Sequence, residues 1–437
     1  MKIDGWAESP WIAFGASMIL YGIILGAIVL QNRFLLKRWK NRVARLAILA
    51  NIELLTFFIV STFFLATQRI WLEIPALNNV QVIPTLFTLL LYFLGLSVFY
   101  NSTRTRYTPR NHVSMNLRFL IPFVIPFIVF TLLTDIAWNI PNQQLHDFLS
   151  NPDTSWTEDV MITMFTLGIM LILMIFLPFF IQSIWQCKPI KNLELLTHLE
   201  NLCQRAGFKH AGIQEWTIMS HMPTAAIVGI VPRFRYVMFT HSLMHQLPPE
   251  ETEAVLAHEI GHSKHKHLLI YPFIIMGLVV LTGIAANFIL EPLLSYFNEF
   301  NKQSPSSLWG SLYLFISFIL YALVVTVYFR LVFGYFSRLF ERQADLYVFE
   351  VGTPPEYMYN ALNHIGIITG NSHKHPSWHH YSIQQRMDFL KDAMHDHSLI
   401  KQHHRRVRNS LIVYSILLGI ALMILIDPTF KTLFSFY

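Results

Sequence analysis

Charge is what this sequence has least of. Lys, Arg, Asp and Glu make up 13% of its 437 residues, against the ~25% usual in a soluble globular domain. The deficit excludes a chain whose whole surface meets water. Cysteine is nearly missing too. Cys187 and Cys203 are the only two, too few for a disulfide framework, and nothing flanking either forms a metal knuckle; both read as reduced packing residues. No internal repeat or low-complexity tract occurs, so a repeat array is excluded. A basic leader is missing as well. The first apolar stretch follows Asp4 and Glu8 with no small-residue cleavage site after it, which predicts a retained span and not a signal peptide.

What the chain does have is apolar length, with 54% of its residues hydrophobic. About 20 such residues in a helix cross a bilayer. Eight stretches approach that: Trp11–Leu30, Leu46–Ala66, Val80–Tyr100, Phe119–Trp138, Val160–Ile181, Leu268–Leu290, Leu308–Phe329 and Ser410–Ile426. Hydrocarbon offers backbone groups no outside partner, so these stretches are expected to be helices. The third and fourth are the weakest, since they hold Pro84, Pro122, Pro126 and Asp135. Buried helices of a large soluble core would rarely leave uncharged runs this long.

The formal charge of +6 does not call for nucleic acid, because the basic residues follow the positive-inside rule. Arg33, Lys37, Arg38, Lys40, Arg42 and Arg45 lie between spans one and two. Arg104, Arg106, Arg110 and Arg118 lie between three and four, and Lys401, Arg405, Arg406 and Arg408 precede the last span. The alternate connections carry Glu73, or Asp147, Asp153 and Glu158, or Glu291 and Glu299. Both termini are therefore expected away from the cytoplasm, and the large segments 182–267 and 330–409 inside it.

The predicted organisation is five helices over 1–181, a polar segment over 182–267, spans six and seven over 268–335, a second polar segment over 336–408 and a last span over 409–437. The fold class is mainly α and polytopic, with a small α+β part. Leu193, Leu195, Leu196, Leu199 and Leu202 predict an amphipathic helix. Strands are expected at Trp216–Met219, Ala225–Val231 and Arg235–Thr240. A second helix starts near Pro248-Pro249-Glu250-Glu251, since proline and acids suit a first turn, and runs to about Lys266. Span seven is expected to continue as helix through Ser337 to Glu350.

The second polar helix carries Val255-Leu-Ala-His-Glu-Ile-Gly-His262. Positions i and i+4 share a helix face, so His258 and His262 can offer imidazole nitrogens to one ion. Glu259 lies beside that face, where it can act as general base. A catalytic zinc takes a third protein ligand and keeps one position for water. A third histidine six residues on is ruled out, because His265 and Leu268 occupy the places of the Gly and His that such a motif needs. Glu341, in Ser337-Arg-Leu-Phe-Glu-Arg-Gln-Ala-Asp345, fits the third ligand. Asp345, one turn on, can accept a hydrogen bond from the far nitrogen of a ligating histidine and so set its orientation.

These motifs, in this order and with two spans between them, closely resemble the zinc-dependent type I CAAX prenyl endopeptidases and their shorter relatives, the bacterial heat-shock membrane zinc proteases. The five spans before the motif resemble the longer branch. The resemblance implies a helical barrel around a water-filled chamber, a cytoplasmic-side zinc centre, and peptide hydrolysis with Zn2+ as cofactor. It implies an oxyanion-contacting role for His375, in His375-Pro376, with Arg386 downstream in the same motif. It also implies an edge strand holding extended substrate at Thr224-Ala225, although the family usually has Asn where Thr224 stands. The eighth span departs from the eukaryotic members, which have seven. Implied substrates are prenylated CAAX-type peptides, or misfolded and stalled membrane proteins where prenylation is absent. The implied setting is the ER or inner nuclear membrane of a eukaryote, or the inner membrane of a bacterium.

His373, His379 and His380 crowd around His375, and any of the four can be an ordinary surface residue. His265 and His267 read as boundary or structural residues. Asn51 and Glu53, inside the second span, suit a chamber wall or a helix–helix hydrogen bond. Three rivals stand beside the protease reading. A transporter explains the spans but not the zinc set. An intramembrane-cleaving metalloprotease would take an aspartate ligand. An inactive zinc scaffold would tolerate loss of Glu259.

Overall fold

Helix accounts for most of the chain because the apolar stretches have no other way to satisfy their backbones in lipid. The computed structural model describes residues 9–38, 43–65, 67–77, 80–103, 112–139, 155–218, 220, 222–293, 295, 307–374 and 380–426. Among these, five helices are long and apolar enough to cross a membrane: Pro10–Phe34, Val82–Ser102, His267–Leu293, Phe315–Val351 and Ser398–Leu425. The other three apolar stretches lie on helices whose described apolar parts are shorter: Leu46–Thr62, Val124–Ile136 and Ile175–Ile184.

The chain forms two compact units. The first comprises 1–174 and 297–316. In it, α1 (Pro10–Arg38), α2 (Val43–Ile59) and α3 (Val82–Ser102) pack around Tyr21, Ile28, Leu54, Phe57, Leu96 and Phe99. Asp135, on α4 (His112–Asn139), accepts from the backbone N–H groups of Gln81 and Val82 at 2.8 and 2.6 Å. A carboxylate at a helix start satisfies free donors and suits the dipole, which explains a charge within an apolar run. Asn51 accepts from the Tyr92 hydroxyl at 2.9 Å, and Gln31 donates to Glu53. Asn51 and Glu53 of the second span are thus both engaged in helix–helix hydrogen bonds. The first unit also holds the start of α5 (Ser155–Ile184).

The second unit comprises 175–296 and 317–437. After α5 come β1 (Lys188–Pro189), α6 (Leu193–Arg205), β2 (Gly212–Trp216), β3 (Ala225–Val228) and β4 (Tyr236–Thr240). Asn192 caps α6, and Leu195, Leu199, Leu202 and Cys203 form its buried face. The sheet order is β1-β2-β4-β3, with β2 and β4 parallel and both outer strands antiparallel to their neighbours. The first expected strand is displaced: the chain pairs over 212–216 and not 216–219. Ile213 and Trp216 are the positions buried by that pairing. Beyond them Thr217 leaves the ladder, its hydroxyl bonded to the carbonyls of Trp185 and Gln186 at 3.1 and 2.9 Å.

The remaining elements are α7 (His241–Gln246), α8 (Pro249–Lys264), α9 (His267–Ala285), α10 (Ser307–Tyr328), α11 (Gly334–Asp345), α12 (Tyr347–Val351), α13 (Pro355–Ile368), α14 (Ile383–His395) and α15 (Ser398–Ile426). A π turn at Phe329–Phe333 joins α10 to α11, so the helix continues past the apolar stretch as the absence of a breaker predicted. The core of this unit gathers Leu199, Val237, Phe239, Leu256, Ile260 and Val348 around α8.

Candidate metal centre

Helix α8 is held at its start by its own acids. Pro249 stands in the first turn. Glu251 is 2.6 Å from His364 Nδ1, while Glu253 accepts from Thr353 Oγ1 at 2.9 Å and pairs with Arg205. At its far end Gly261 lies against α11 and Tyr347, where an added Cβ would meet Tyr347 Cβ at 2.8 Å and Ala344 Cα and O at 3.1 Å. Glycine lets the two backbones approach this closely, and that approach carries Glu341 to the histidine face of α8.

His258 and Glu341 are each 7% exposed. His258 Nε2 and His262 Nε2 are 3.2 Å apart. Glu341 Oε2 is 3.8 Å from His258 Nε2, and its Oε1 is 3.5 Å from His262 Nε2. Ligands about 2.0–2.1 Å from a zinc ion at tetrahedral angles stand roughly 3.3 Å apart. One ligand atom from each residue, all within 4.8 Å of one another, can therefore occupy three vertices of such a tetrahedron, leaving the fourth for water or substrate.

The groups behind the ligands orient them. His258 Nδ1 lies 2.9 Å from Asp345 Oδ1, so Nδ1–H donates to the carboxylate and Nε2 keeps its lone pair. Asp345 is 1% exposed and receives Arg386 Nε at 2.8 Å and Nη2 at 2.5 Å. Burial would pull the Arg386 guanidinium down, but Asp345 outweighs it and holds Arg386 above its ordinary value. Behind His262 stands His267, with the two Nδ1 atoms 3.0 Å apart. His267 Nε2 is 3.0 Å from Gln343 Oε1, and Gln343 Nε2 is 2.7 Å from His404 Nδ1. The amide oxygen can only accept, so His267 donates through Nε2 and accepts at Nδ1. His262 then donates through Nδ1, which frees its Nε2. Glu259 follows His258 on α8; burial raises its carboxyl above the ordinary range, and the two neighbouring imidazoles pull it back.

The structure thus brings together His258, Glu259, His262, Glu341, Asp345 and Arg386. Asp345 lies behind His258, and the carboxylate facing the two Nε2 atoms is that of Glu341. Ala225 lies on the edge strand β3, which packs alongside α8. His375, with Pro376 and His379, lies outside the described residues. His373 does not reach the centre: its Nε2 is 3.2 Å from the carbonyl and the side-chain oxygen of Asn363. His380, grouped with surface histidines on sequence grounds, stands with Nδ1 3.1 Å from Glu341 Oε2. His267, read from the sequence as a boundary or structural residue, stands behind His262, and Gln343 escaped the sequence reading. Five residues beyond His262 and past the end of α8, His267 carries no periodic signal, and only the turn at Lys266 (φ +60°) brings it back.

Membrane-length helices joined to a His-Glu-x-x-His helix and a distant glutamate define a membrane protein with a candidate gluzincin-type metal centre. Residues 189–414 match peptidase family M48, slightly over half of the 437-residue chain, and the protein belongs to that family. Among curated proteins it is similar to a "Protease HtpX homolog" of Aeropyrum pernix, 25% identical over 207 residues, covering 47% of this chain and 62% of the relative. A homolog of the same name from Desulfatibacillum aliphaticivorans is 26% identical over 188 residues, covering 42% and 57%. The chain thus spans about three-fifths of the length of these relatives. Among solved structures, the crystal structure of S. mikatae Ste24p aligns over 88% of this chain and 99% of that one, at 17% identity and TM-score 0.44.

Proposed function

We propose that this chain is an integral-membrane zinc endopeptidase in which Glu259 is the general base. The observation that carries the reading is the convergence of His258 Nε2, His262 Nε2 and Glu341 to spacings of 3.2–3.8 Å with Glu259 on the same helical turn. Zinc held by these three residues would polarise a scissile carbonyl and bring the pKa of water toward about 7.

The chain's own groups supply the rest. Glu259 takes the proton of the attacking water and delivers it to the leaving amine, a role worth roughly 10²–10⁴-fold in rate. Its raised pKa makes it a better proton acceptor than an exposed glutamate. Asp345 keeps His258 in the ligating tautomer, and Arg386 keeps Asp345 ionised so that it can accept. His375 is assigned to the developing oxyanion, a contact worth about 3 kcal/mol elsewhere. The free edge of β3 at Ala225 offers backbone groups to an extended peptide beside α8.

The eight apolar helices cross the membrane, with residues 182–267 and 336–408 on the cytoplasmic side and both termini opposite, as the basic connections require. Substrates are prenylated CAAX-type peptides or misfolded and stalled membrane proteins. The test is metal analysis of purified protein, followed by digestion of one peptide with and without a prenyl group. Wild type is expected to cleave and to lose activity to a chelator. Glu259→Gln is expected to retain metal and cleave at least about 100-fold more slowly. Equal cleavage by the variant overturns the reading, and the ratio of the two peptides decides the substrate class.

A further inference from the structure

A second group of ligands stands at the far end of the hydrogen-bond chain behind His262. His265 caps the end of α8, Glu350 lies on α12 and His404 on α15. His265 Nε2 and His404 Nε2 face the same oxygen, Glu350 Oε1, at 3.4 and 3.3 Å, and the three donor atoms lie within 4.8 Å of one another. Charge-assisted N–H···O bonds are shorter, about 2.7–2.9 Å, whereas the edge of a tetrahedral zinc set is roughly 3.3 Å. His265 Nε2 is buried and has no hydrogen-bond partner among the described residues. A cavity of about 440 Å³ adjoins the group, lined by His265, Gln343, His404, Arg408 and Ser415 beside apolar side chains of α15. It has room for water as a further ligand.

We propose that His265, Glu350 and His404 form a second site for an imidazole-preferring divalent cation such as Zn2+, and that filling it weakens the hold on the metal at His258, His262 and Glu341. Two imidazoles and one carboxylate are a donor set for zinc and its transition-metal neighbours, not for Mg2+ or Ca2+. Side-chain exposures of 19, 38 and 28% leave the site open to exchange with solution.

The antagonism follows from donor directions. When His262 ligates through Nε2, its Nδ1–H donates to His267, His267 donates to Gln343, and Gln343 donates to His404 Nδ1. His404 then carries its hydrogen on Nε2, the atom that faces Glu350. Ligation there moves that hydrogen to Nδ1, opposite the Gln343 NH2. Rotating the amide or changing the tautomer of His267 only passes the clash of two donors along the chain. With both metals bound, one hydrogen bond is lost somewhere between His404 and His262. A lost buried hydrogen bond weakens the partner metal by about tenfold.

The site itself stands independently of the proposed peptidase activity; only the coupling rests on the first centre. The experiment titrates metal-free, full-length protein in detergent with Zn2+, and in parallel with Co2+, whose visible bands report each site. Wild type is expected to take up two equivalents. Glu350→Gln and His404→Asn, both at partly exposed positions, are expected to take up one. Glu341→Gln keeps an equivalent at the second site, which separates this inference from the fate of the first. Saturation of wild type at one equivalent, or two equivalents in both second-site variants, overturns the site. Release of the tighter metal to a chelator is expected to be about tenfold faster with two equivalents bound than with one. That difference disappears in Gln343→Met, which has neither donor nor acceptor amide. Equal release rates in wild type overturn the coupling.

Discussion

Gly261→Ala tests how closely the two ligand-bearing helices must approach. The new Cβ would stand 2.8 Å from Tyr347 Cβ and 3.1 Å from the backbone of Ala344, where ordinary contact begins at 3.4 Å. Relief needs about 0.3 Å between α8 and Ala344 on α11 and about 0.6 Å between α8 and Tyr347 at the start of α12, and backbone cannot turn away as a flexible side chain would. Glu341 and Ala344 share one helix, so the same shift carries the carboxylate off. The His262 Nε2–Glu341 Oε1 spacing of 3.5 Å opens toward about 3.8 Å, further from the roughly 3.3 Å edge of a tetrahedral zinc set. A misplacement of ~1 Å can cost about 100-fold at a reacting centre, so this smaller shift is expected to lower metal affinity and turnover by about 3- to 10-fold. Overpacking is expected to lower stability by about 1–3 kcal/mol. Chelator competition measures the first effect and denaturant unfolding the second. Gly212→Ala is the control, since nothing lies within 4 Å of its added Cβ. Unchanged zinc affinity in folded Gly261→Ala would refute the claim that this contact sets the ligand spacing.

Asp345→Asn leaves the half-buried Arg386 without its carboxylate and releases the His258 tautomer. Zinc affinity is expected to fall about 10- to 100-fold, and stability by about 3 kcal/mol, read by chelator competition and denaturant melts; a change in neither would remove Asp345 from the centre. His267→Phe preserves stacking on Phe340 (centroids 4.3 Å apart) but takes away the acceptor behind His262. Zinc binding is expected to weaken about tenfold with little change in unfolding, and a wild-type affinity would show that His267 only packs. Burial pushes both Cys187 and Cys203 up to about 12, so at pH 8 the thiolate fraction is only ~10⁻⁴, against roughly a quarter for an ordinary thiol. Maleimide is therefore expected to label neither until the protein unfolds, and rapid labelling of native protein would contradict the buried environment. Labelling is expected to quicken as pH rises toward 12.

Much of this protein is legible without coordinates because the relevant physics is local. A run of about 20 apolar residues has only one way to satisfy its backbone in lipid, so each predicted stretch lies on helix. Four residues bring His258 and His262 to one face whatever surrounds them, and four more relate Glu341 to Asp345. Local reasoning failed where long-range pairing chose between alternatives. Strand β2 took 212–216 because β4 supplied the ladder there. For Asn51 and Glu53 the helix–helix alternative holds, but the partners, Tyr92 and Gln31, are announced by no pattern within their own helix.

Asp345 was legible as a partner of a ligating histidine from its spacing to Glu341, but tertiary structure alone decided which groups stand behind His262. Glu341 reaches the His258 face only because α8 and α11 close over Gly261. The chain from His262 through His267 and Gln343 to His404 joins residues as many as 142 positions apart, counted from 262 to 404. Hydrogen bonds fall off within an ångström or so, and composition carries no record of which polar groups come that close. Periodicity therefore determined the helices and the two histidines, and packing determined their partners.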